Sequence, residues 1–119
     1  MSETVYPPPS KDLARKRREL VPTTQAAFDA FSEAVFADGA LPAKTKQLIA
    51  IAVAHVTQCP YCIRSHTKSA VQHGATQQEI MEAIWVAAEM RAGGAYAHSL
   101  IALTTMEQEV ERGAGMPPG

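Results

Sequence analysis

The chain has 119 residues and a net charge of −1, which suits one domain, spanning residues 1–119, that buries a core without disulfide staples. The near-neutral charge excludes the broad basic field of a nucleic-acid-binding domain, and no apolar run is long enough to cross a membrane. The first residues lack the charged and apolar regions of a secretory signal, so we predict a cytosolic protein.

The N-terminal segment predicts an extended arm followed by a short helix. Prolines at positions 7, 8 and 9 oppose a helix, so residues 1–9 are expected to form the arm. Ser10 is suited to cap a helix from Lys11 to Leu20. The basic run of this helix, KDLARKRR, is typical of a solvated helix face.

Two further helices are predicted before the cysteines. Thr23 or Thr24 can cap a helix that ends near Ala37. Its apolar stripe comprises Phe28, Phe31, Ala34 and Val35. Pro42 is suited to the first turn of a third helix. The run 48–56 is almost wholly apolar, so a buried strand competes with a helix at that point.

The remaining sequence predicts three more helices with clear boundary signals. Pro60 fits the first position of the fourth helix, and Gly74 fits the position just after its end. The sequence TQQE at 76–79 is a capping box that starts a fifth helix at Gln77. The glycines at 93–94 are expected to end it. A sixth helix then runs from Ala95 to about Arg112, before a frayed tail at 113–119.

Both cysteines lie in the stretch QCPYCIRSH, residues 58–66. With Pro60 as the first helical residue, Cys59 is at the N-cap and Cys62 is in the first turn, where free N–H groups and the helix dipole favour a thiolate. His66 follows Cys62 by four residues, on the same helix face, and can exchange a proton with it. The second thiol can attack a sulfenic acid formed on the first, so the spacing suits a redox centre.

Two other interpretations of this stretch were weighed. CPYC is typical of glutaredoxins, but no proline follows Cys62 before Pro117 and no downstream strands are indicated, so the run 43–57 is predicted to be a helix. Zinc is the second alternative, with Cys59, Cys62 and His66 as ligands and His55 or His73 as a fourth. A distant second ligand pair, usual in structural zinc sites, is not evident in the sequence.

The sequence from 44 to 99 resembles the AhpD-like, carboxymuconolactone decarboxylase family. The resemblance rests on the Leu-Ile-Ala-x-Ala helix, the Cys-x-x-Cys-x-x-x-His motif, the GAT-x-x-E-I helix start and the helix that ends in a glycine- and alanine-rich turn. It extends more weakly over residues 24–110. The resemblance implies an all-α bundle, here of about six helices, that assembles through helix packing into homotrimers or homohexamers.

The resemblance also implies an alkylhydroperoxidase-type thiol activity without a cofactor or metal. It gives Cys62 the peroxide-attacking role, Cys59 the resolving and exchange role, and His66 a place in a proton relay. Peroxidases of this type carry a glutamate twelve residues before the first cysteine, where this chain has Gln47. Glutamine cannot take up a proton, so either Gln47 orients His66 while His55 acts as the base, or the peroxidase rate is weak.

These observations predict a thiol-dependent peroxidase or disulfide reductase. Its partners are a peroxide and an external dithiol, such as a lipoyl-bearing or thioredoxin-like protein, because the chain has no further thiol to supply electrons. Carboxymuconolactone decarboxylase-like activity and a zinc-binding, non-enzymatic module on the same scaffold are the alternatives. For His98, Trp85 and Tyr96, packing or an interface is expected, and Glu89 is a minor candidate for a buried base.

Overall fold

The computed structural model describes residues 5–8 and 10–115, and this part of the chain contains five helices and no strand. The helices are α1 (Lys11–Leu20), α2 (Pro22–Phe36), α3 (Ala43–Thr57), α4 (Pro60–Gln72) and α5 (Gln77–Gly115). The all-α prediction is confirmed. The apolar run 48–56 lies inside α3, so the strand alternative for it is wrong.

The first three helices begin close to the predicted positions, with small differences. Ser10 caps α1 through a 3.4 Å hydrogen bond from the Leu13 N–H to its Oγ. Helix α2 begins one residue before Thr23, because Pro22 has the backbone torsion of a first helical residue and Val21 takes the N-cap position. Pro42 likewise lies at the N-cap of α3 rather than in its first turn.

The long helix α5 replaces the fifth and sixth helices that were predicted separately. Its 39 residues run through Gly93 and Gly94 without a break. Neither glycine has positive φ, so neither adopts the left-handed conformation that ends helices. The helix also includes residues 113–115 of the predicted frayed tail, while residues 116–119 lie outside the described part.

The core lies where α3 packs against α4 and α5. Its buried members are Ile51, Ala70, Ala75 and Ile80, with Leu48 and Ile84 packed against them. Ile51 is the only large side chain of the described residues that is fully buried. A core this small leaves many apolar side chains outside it.

Much of the apolar surface of α2 and α5 is exposed. Phe28 and Phe31, on the predicted stripe of α2, are 62% and 65% exposed. Trp85 and Tyr96 on α5 are also exposed, so neither is a core residue of this chain. No helix within residues 10–115 combines the length and hydrophobicity needed to cross a bilayer.

Two tight connections position α4. Gln58 adopts a left-handed conformation, with φ of 58°, and the Cys59 N–H then donates to the Ala54 carbonyl at 3.1 Å. At the other end Gly74 has φ of 87°, as its predicted position after the helix requires. The chain therefore reverses sharply on both sides of α4, which brings one of its faces against α3.

The predicted capping box at the start of α5 is confirmed. The Glu79 N–H donates to Thr76 Oγ1 at 3.1 Å, and the Thr76 N–H donates to Glu79 Oε1 at 2.9 Å. Lys44 lies 2.8 Å from the second Glu79 oxygen. This ion pair joins the first turns of α3 and α5.

Candidate thiol site

The two thiols lie at the N-terminus of α4. Cys59 is the N-cap residue, and its Sγ accepts a hydrogen bond from the Cys62 N–H at 3.3 Å. Both cysteines are free and partly buried. The predicted geometry, with Pro60 as the first helical residue, is confirmed. The helix terminus therefore supplies an N–H donor to the sulfur that would carry a negative charge.

Local hydrogen bonds and burial shift the pKa values of the two thiols in opposite directions. Hydrogen bonds from the Cys62 thiol and from the Cys62 N–H hold the pKa of Cys59 below its ordinary value. The pKa of Cys62 is raised, because its proton is held by Cys59 and because burial disfavours the charged sulfur. The hydrogen bond between the two thiols therefore favours loss of the first proton from Cys59, with Cys62 as the donor to it.

His66 is held by a residue from α3. Its Nδ1 lies 2.8 Å from Oε1 of Gln47, which is only 6% exposed. Since a carboxamide oxygen only accepts, Nδ1 carries the proton and Nε2 keeps a free lone pair. Burial lowers the pKa of His66 and favours this neutral form.

Phe36, at the end of α2, packs on the other side of the histidine. The two rings stack with centroids 5.0 Å apart and planes inclined at 29°. Lys46 fixes this end of α2, because its Nζ donates to the Val35 carbonyl at 2.8 Å and to the Ala37 carbonyl at 2.6 Å. The His66 ring is therefore oriented by α2 and α3 as well as by its own helix.

Cys62 and His66 line a pocket of about 430 Å³, here called the apolar pocket. Its remaining lining residues come from α2 and α3: Val35, Phe36, Lys46, Ile49, Ala50, Val53, Ala54 and Thr57. Most of these side chains are aliphatic or aromatic. An apolar ligand of modest size would thus lie against the thiol of Cys62.

The other candidate residues lie elsewhere. His55 binds the Ile51 carbonyl through Nδ1 at 2.7 Å and is not a lining residue of the apolar pocket. His73 and His98 bind backbone carbonyls of their own helices. Glu89 is exposed rather than buried. The structure therefore joins Cys59 to Cys62 and Gln47 to His66, but it does not bring His55 into either hydrogen-bonded pair.

The zinc alternative gains no support from this arrangement. Within residues 5–8 and 10–115, no three side chains of His, Cys, Asp or Glu lie close enough together to hold a metal ion. His73 caps the far end of α4, thirteen residues after Pro60, where the helix begins. The fourth ligand that the sequence suggested is therefore not beside the thiols.

Two residues of the site were missed in the sequence. Phe36 did not belong to the apolar stripe that was recognised on α2, although it lies one position after Val35. Lys46 precedes Gln47 and carried no signal of its own, because its contacts are to backbone carbonyls of another helix. An aromatic residue at the end of a helix just before the Cys-x-x-Cys hairpin was the only available hint.

Comparison with known proteins gives a consistent picture. The carboxymuconolactone decarboxylase family model matches residues 22–105. An uncharacterised protein of the cox locus of Paracoccus denitrificans is 66% identical over 82 residues, which are 69% of this chain and 74% of that protein. The family-model match includes helices α2, α3 and α4, which form the site.

Solved structures with this fold include two from the same family. A carboxymuconolactone decarboxylase family protein from Legionella pneumophila has a TM-score of 0.65 and 35% identity, covering 82% of this chain and 87% of that one. A family protein from Thermotoga maritima, possibly involved in antioxidative response, has a TM-score of 0.55 and 30% identity. The match covers 79% of this chain and 97% of that one.

Proposed function

Because the chain belongs to the carboxymuconolactone decarboxylase family, we propose that it is a thiol-dependent peroxidase or disulfide reductase of the AhpD-like type. One observation carries the proposal. The Cys59 and Cys62 thiols share a helix terminus, and His66, one turn further on, is held by Gln47 with a free Nε2 lone pair. A nucleophile, a resolving thiol and a base are thus available within two turns of chain.

In the first step, His66 takes the proton of Cys62 as this sulfur attacks a peroxide. Base assistance is needed because burial raises the pKa of Cys62, so little thiolate is present beforehand. The sulfur takes one peroxide oxygen and becomes a sulfenic acid, while the O–O bond breaks. The leaving oxygen receives the proton from His66 and departs as an alcohol or as water.

In the second step, Cys59 attacks the sulfur of the sulfenic acid. Its lowered pKa favours loss of the Cys59 proton, so that this sulfur can react before the sulfenic acid is oxidised further. A disulfide forms, the S–O bond breaks, and the hydroxyl leaves as water with the proton that the Cys59 thiol gave up. An external dithiol must then supply two electrons, because the chain has no third thiol.

The apolar pocket suggests a substrate with a hydrocarbon part. Its aliphatic walls can cover an alkyl chain, while the polar end of a hydroperoxide would face Cys62 and His66. Carboxymuconolactone decarboxylase-like activity is the second candidate from the same family. We favour thiol chemistry because a lactone decarboxylation does not need the paired cysteines that this site provides.

The test is dithiol-dependent peroxide consumption by wild type and by Cys62→Ser. Wild type is expected to consume an alkyl hydroperoxide, and Cys62→Ser to lose this activity. Cys59→Ser should instead give one turnover and then accumulate an over-oxidised Cys62, visible as added oxygen mass. A fully active Cys62→Ser enzyme would show that the assigned roles are wrong. Stoichiometric zinc on Cys59, Cys62 and His66 would contradict the redox proposal itself.

We further propose that the working form is a homo-oligomer, a trimer or hexamer. The chain exposes 9729 Å², whereas a compact monomer of its mass exposes about 6,300 Å². The apolar faces of α2 and α5 account for many of the exposed large side chains. Obligate interfaces bury roughly 2,000–5,000 Å², so other copies of this chain can cover the excess.

A further inference from the structure

A second pocket lies beside the thiol pair on a different face of α4. We call it the basic pocket; its volume is about 570 Å³, and Arg17, Arg64 and Lys68 contribute to its lining. Tyr61, Ser65 and Ser10 contribute hydroxyl groups to the same lining. No Asp or Glu is among its lining residues, and none of its three cations forms an ion pair within the described part of the chain.

The basic pocket is adjacent to the redox site through Tyr61. This residue lies between the two cysteines in the sequence, and its Cα is about 3.8 Å from that of Cys62, which itself lines the apolar pocket. The Tyr61 hydroxyl donates to the Pro7 carbonyl at 3.0 Å, and its ring meets that of Tyr6 edge to face at 6.1 Å. Pro7, Pro8 and helix α1 therefore contribute to one wall of the pocket, and α4 contributes the other.

The two pockets use different faces of the same helix. Tyr61, Arg64, Ser65 and Lys68 follow the spacing of one helix face, whereas Cys62 and His66 follow that of another. Three cations without a counter-ion in a concave site favour an anion, and guanidinium groups match the geometry of carboxylates. The position beside a disulfide-forming pair indicates that this anion carries thiol groups.

We propose that the basic pocket binds the carboxylates of a small anionic thiol compound, which reduces the Cys59–Cys62 disulfide. This inference rests on the proposed redox function. One thiolate of the reductant attacks one sulfur of the disulfide and forms a mixed disulfide, releasing the other cysteine. A second reductant thiol then displaces the remaining cysteine. Two reductant thiols become one disulfide, and two electrons reach the protein.

A pair of alkylating reagents tests the pocket independently of catalysis. Iodoacetate and iodoacetamide undergo the same displacement of iodide by a thiolate, and they differ in charge. The ratio of their rates on the reduced protein is expected to fall about threefold in Arg64→Gln and again in Arg17→Gln, the scale of single exposed charge contacts. Lys16→Gln removes a charge from α1 outside the pocket and should leave the ratio unchanged.

Succinate serves as a competitor in the same assay. It should slow the iodoacetate reaction of wild type more than sodium chloride does at equal ionic strength. Equal effects of the two salts would mean that iodoacetate is attracted only by the general positive potential of this surface, which would suit a larger acidic protein. That result would overturn specific binding of a small anion. An unchanged ratio in Arg64→Gln and Arg17→Gln, or an equal fall in Lys16→Gln, would also overturn it.

Kinetics of disulfide reduction distinguish this inference from the proposed function. With a carboxylate-bearing dithiol, Arg64→Gln should raise KM about threefold with kcat little changed. With neutral dithiothreitol the variant should match wild type. Equal effects with both reductants would overturn the role of the pocket and leave the thiol chemistry intact. Failure of both reductants on wild type would overturn the proposed function instead.

Discussion

Gln47 and His66 form a neutral hydrogen-bonded pair where related peroxidases would have a charged one. A glutamate would stabilise the imidazolium, whereas the Gln47 oxygen fixes the proton on Nδ1 without adding negative charge. Burial acts in the same direction by lowering the pKa of His66. The lowered pKa favours neutral His66 at physiological pH, so the proposed peroxidase, with His66 as its base, is expected to lose activity only at low pH.

Gln47→Glu tests this account of the proton relay. A carboxylate beside His66 should raise the pKa of its imidazolium by about one unit or more. The acid limb of the pH–rate profile is then expected to move to higher pH. A measured limb at the wild-type position would mean that His66 is not the titrating base, and would favour His55. Gln47→Ala is the matched control, because it removes the hydrogen bond without adding charge.

The lowered pKa of His66 also predicts how stability depends on pH. At a pH above 6.5, the ordinary pKa of histidine, His66 is neutral in both the folded and the unfolded chain. As the pH falls below 6.5, the unfolded chain binds the proton first, so the free energy of unfolding decreases. His66→Gln should make the free energy of unfolding, measured by urea titration, depend less on pH between pH 6.5 and pH 4.5. The lower limit is the ordinary pKa of a glutamate such as Glu79.

Glu79 supplies an internal reference for that experiment. Its hydrogen bonds from Lys44 and Thr76 lower its pKa, so its contribution to stability is present above 4.5 and is lost below that value. A slope that persists between 6.5 and 4.5 in His66→Gln would contradict the assignment to His66. The stability change between pH 6.5 and 4.5 therefore reports on His66, and the change below pH 4.5 reports on Glu79 at the start of α5.

At the scale of the elements, the sequence predicted a helix end correctly wherever a single backbone torsion or hydrogen bond determines where the helix begins or ends. Gly74 and the capping box of Thr76 and Glu79 lie where they were predicted, as does Cys59 at its N-cap. These signals are local, so the sequence contains all that determines them. The pairing of Gln47 with His66 was also predictable, because both face the same hairpin between α3 and α4.

The break predicted at Gly93–Gly94 was wrong because tertiary context outweighs helix propensity. Two glycines cost a helix about 1 kcal/mol each, which packing of α5 on α3 can offset. A Cβ added at Gly93 would make an ordinary contact with Glu89 Oε1 at 3.4 Å, so close packing does not explain this glycine. Phe36 was missed for a similar reason, because its stacking on His66 depends on how α2 is anchored by Lys46.

Two glycine substitutions test the continuity of α5 and the left-handed turn between α4 and α5. Gly94→Ala is expected to stabilise the fold by about 0.5–1 kcal/mol, because the residue is helical and an added Cβ meets nothing within 4 Å. Gly74→Ala should destabilise it by about 1–2 kcal/mol, because φ of 87° is unfavourable for a side chain. Denaturant titration measures both. Destabilisation by Gly94→Ala would indicate a break in the helix.

At the scale of the whole molecule, the chain is too extended to be a compact domain on its own. Its radius of gyration is 22.2 Å, whereas about 13.5 Å is typical of a compact domain of this length. The longest dimension, 69 Å, is about twice the other two. Helix α5 contributes most to this length, since 39 residues span about 58 Å.

The exposed apolar side chains of α5 predict where an assembly interface lies. Leu100 and Leu103 are 67% and 49% exposed in the isolated chain. Wild type is expected to sediment as an oligomer at micromolar concentration, and Leu100→Glu/Leu103→Glu as a smaller species, because buried unpaired carboxylates oppose association. Glu111→Gln is the control and should sediment like wild type. A monomeric wild type would contradict the proposed assembly.

Helix α4 contributes to two pockets: Cys62 and His66 line one, and Tyr61, which lies between the two cysteines in the sequence, lines the other. The oxidant would arrive through the apolar pocket, beside Cys62 and His66, and the electron donor through the basic pocket, beside Tyr61 and Arg64. The enzyme would then alternate between an oxidised and a reduced form without either substrate occupying the other's place. Initial-rate plots should be parallel lines, and an excess of one substrate should not inhibit turnover of the other.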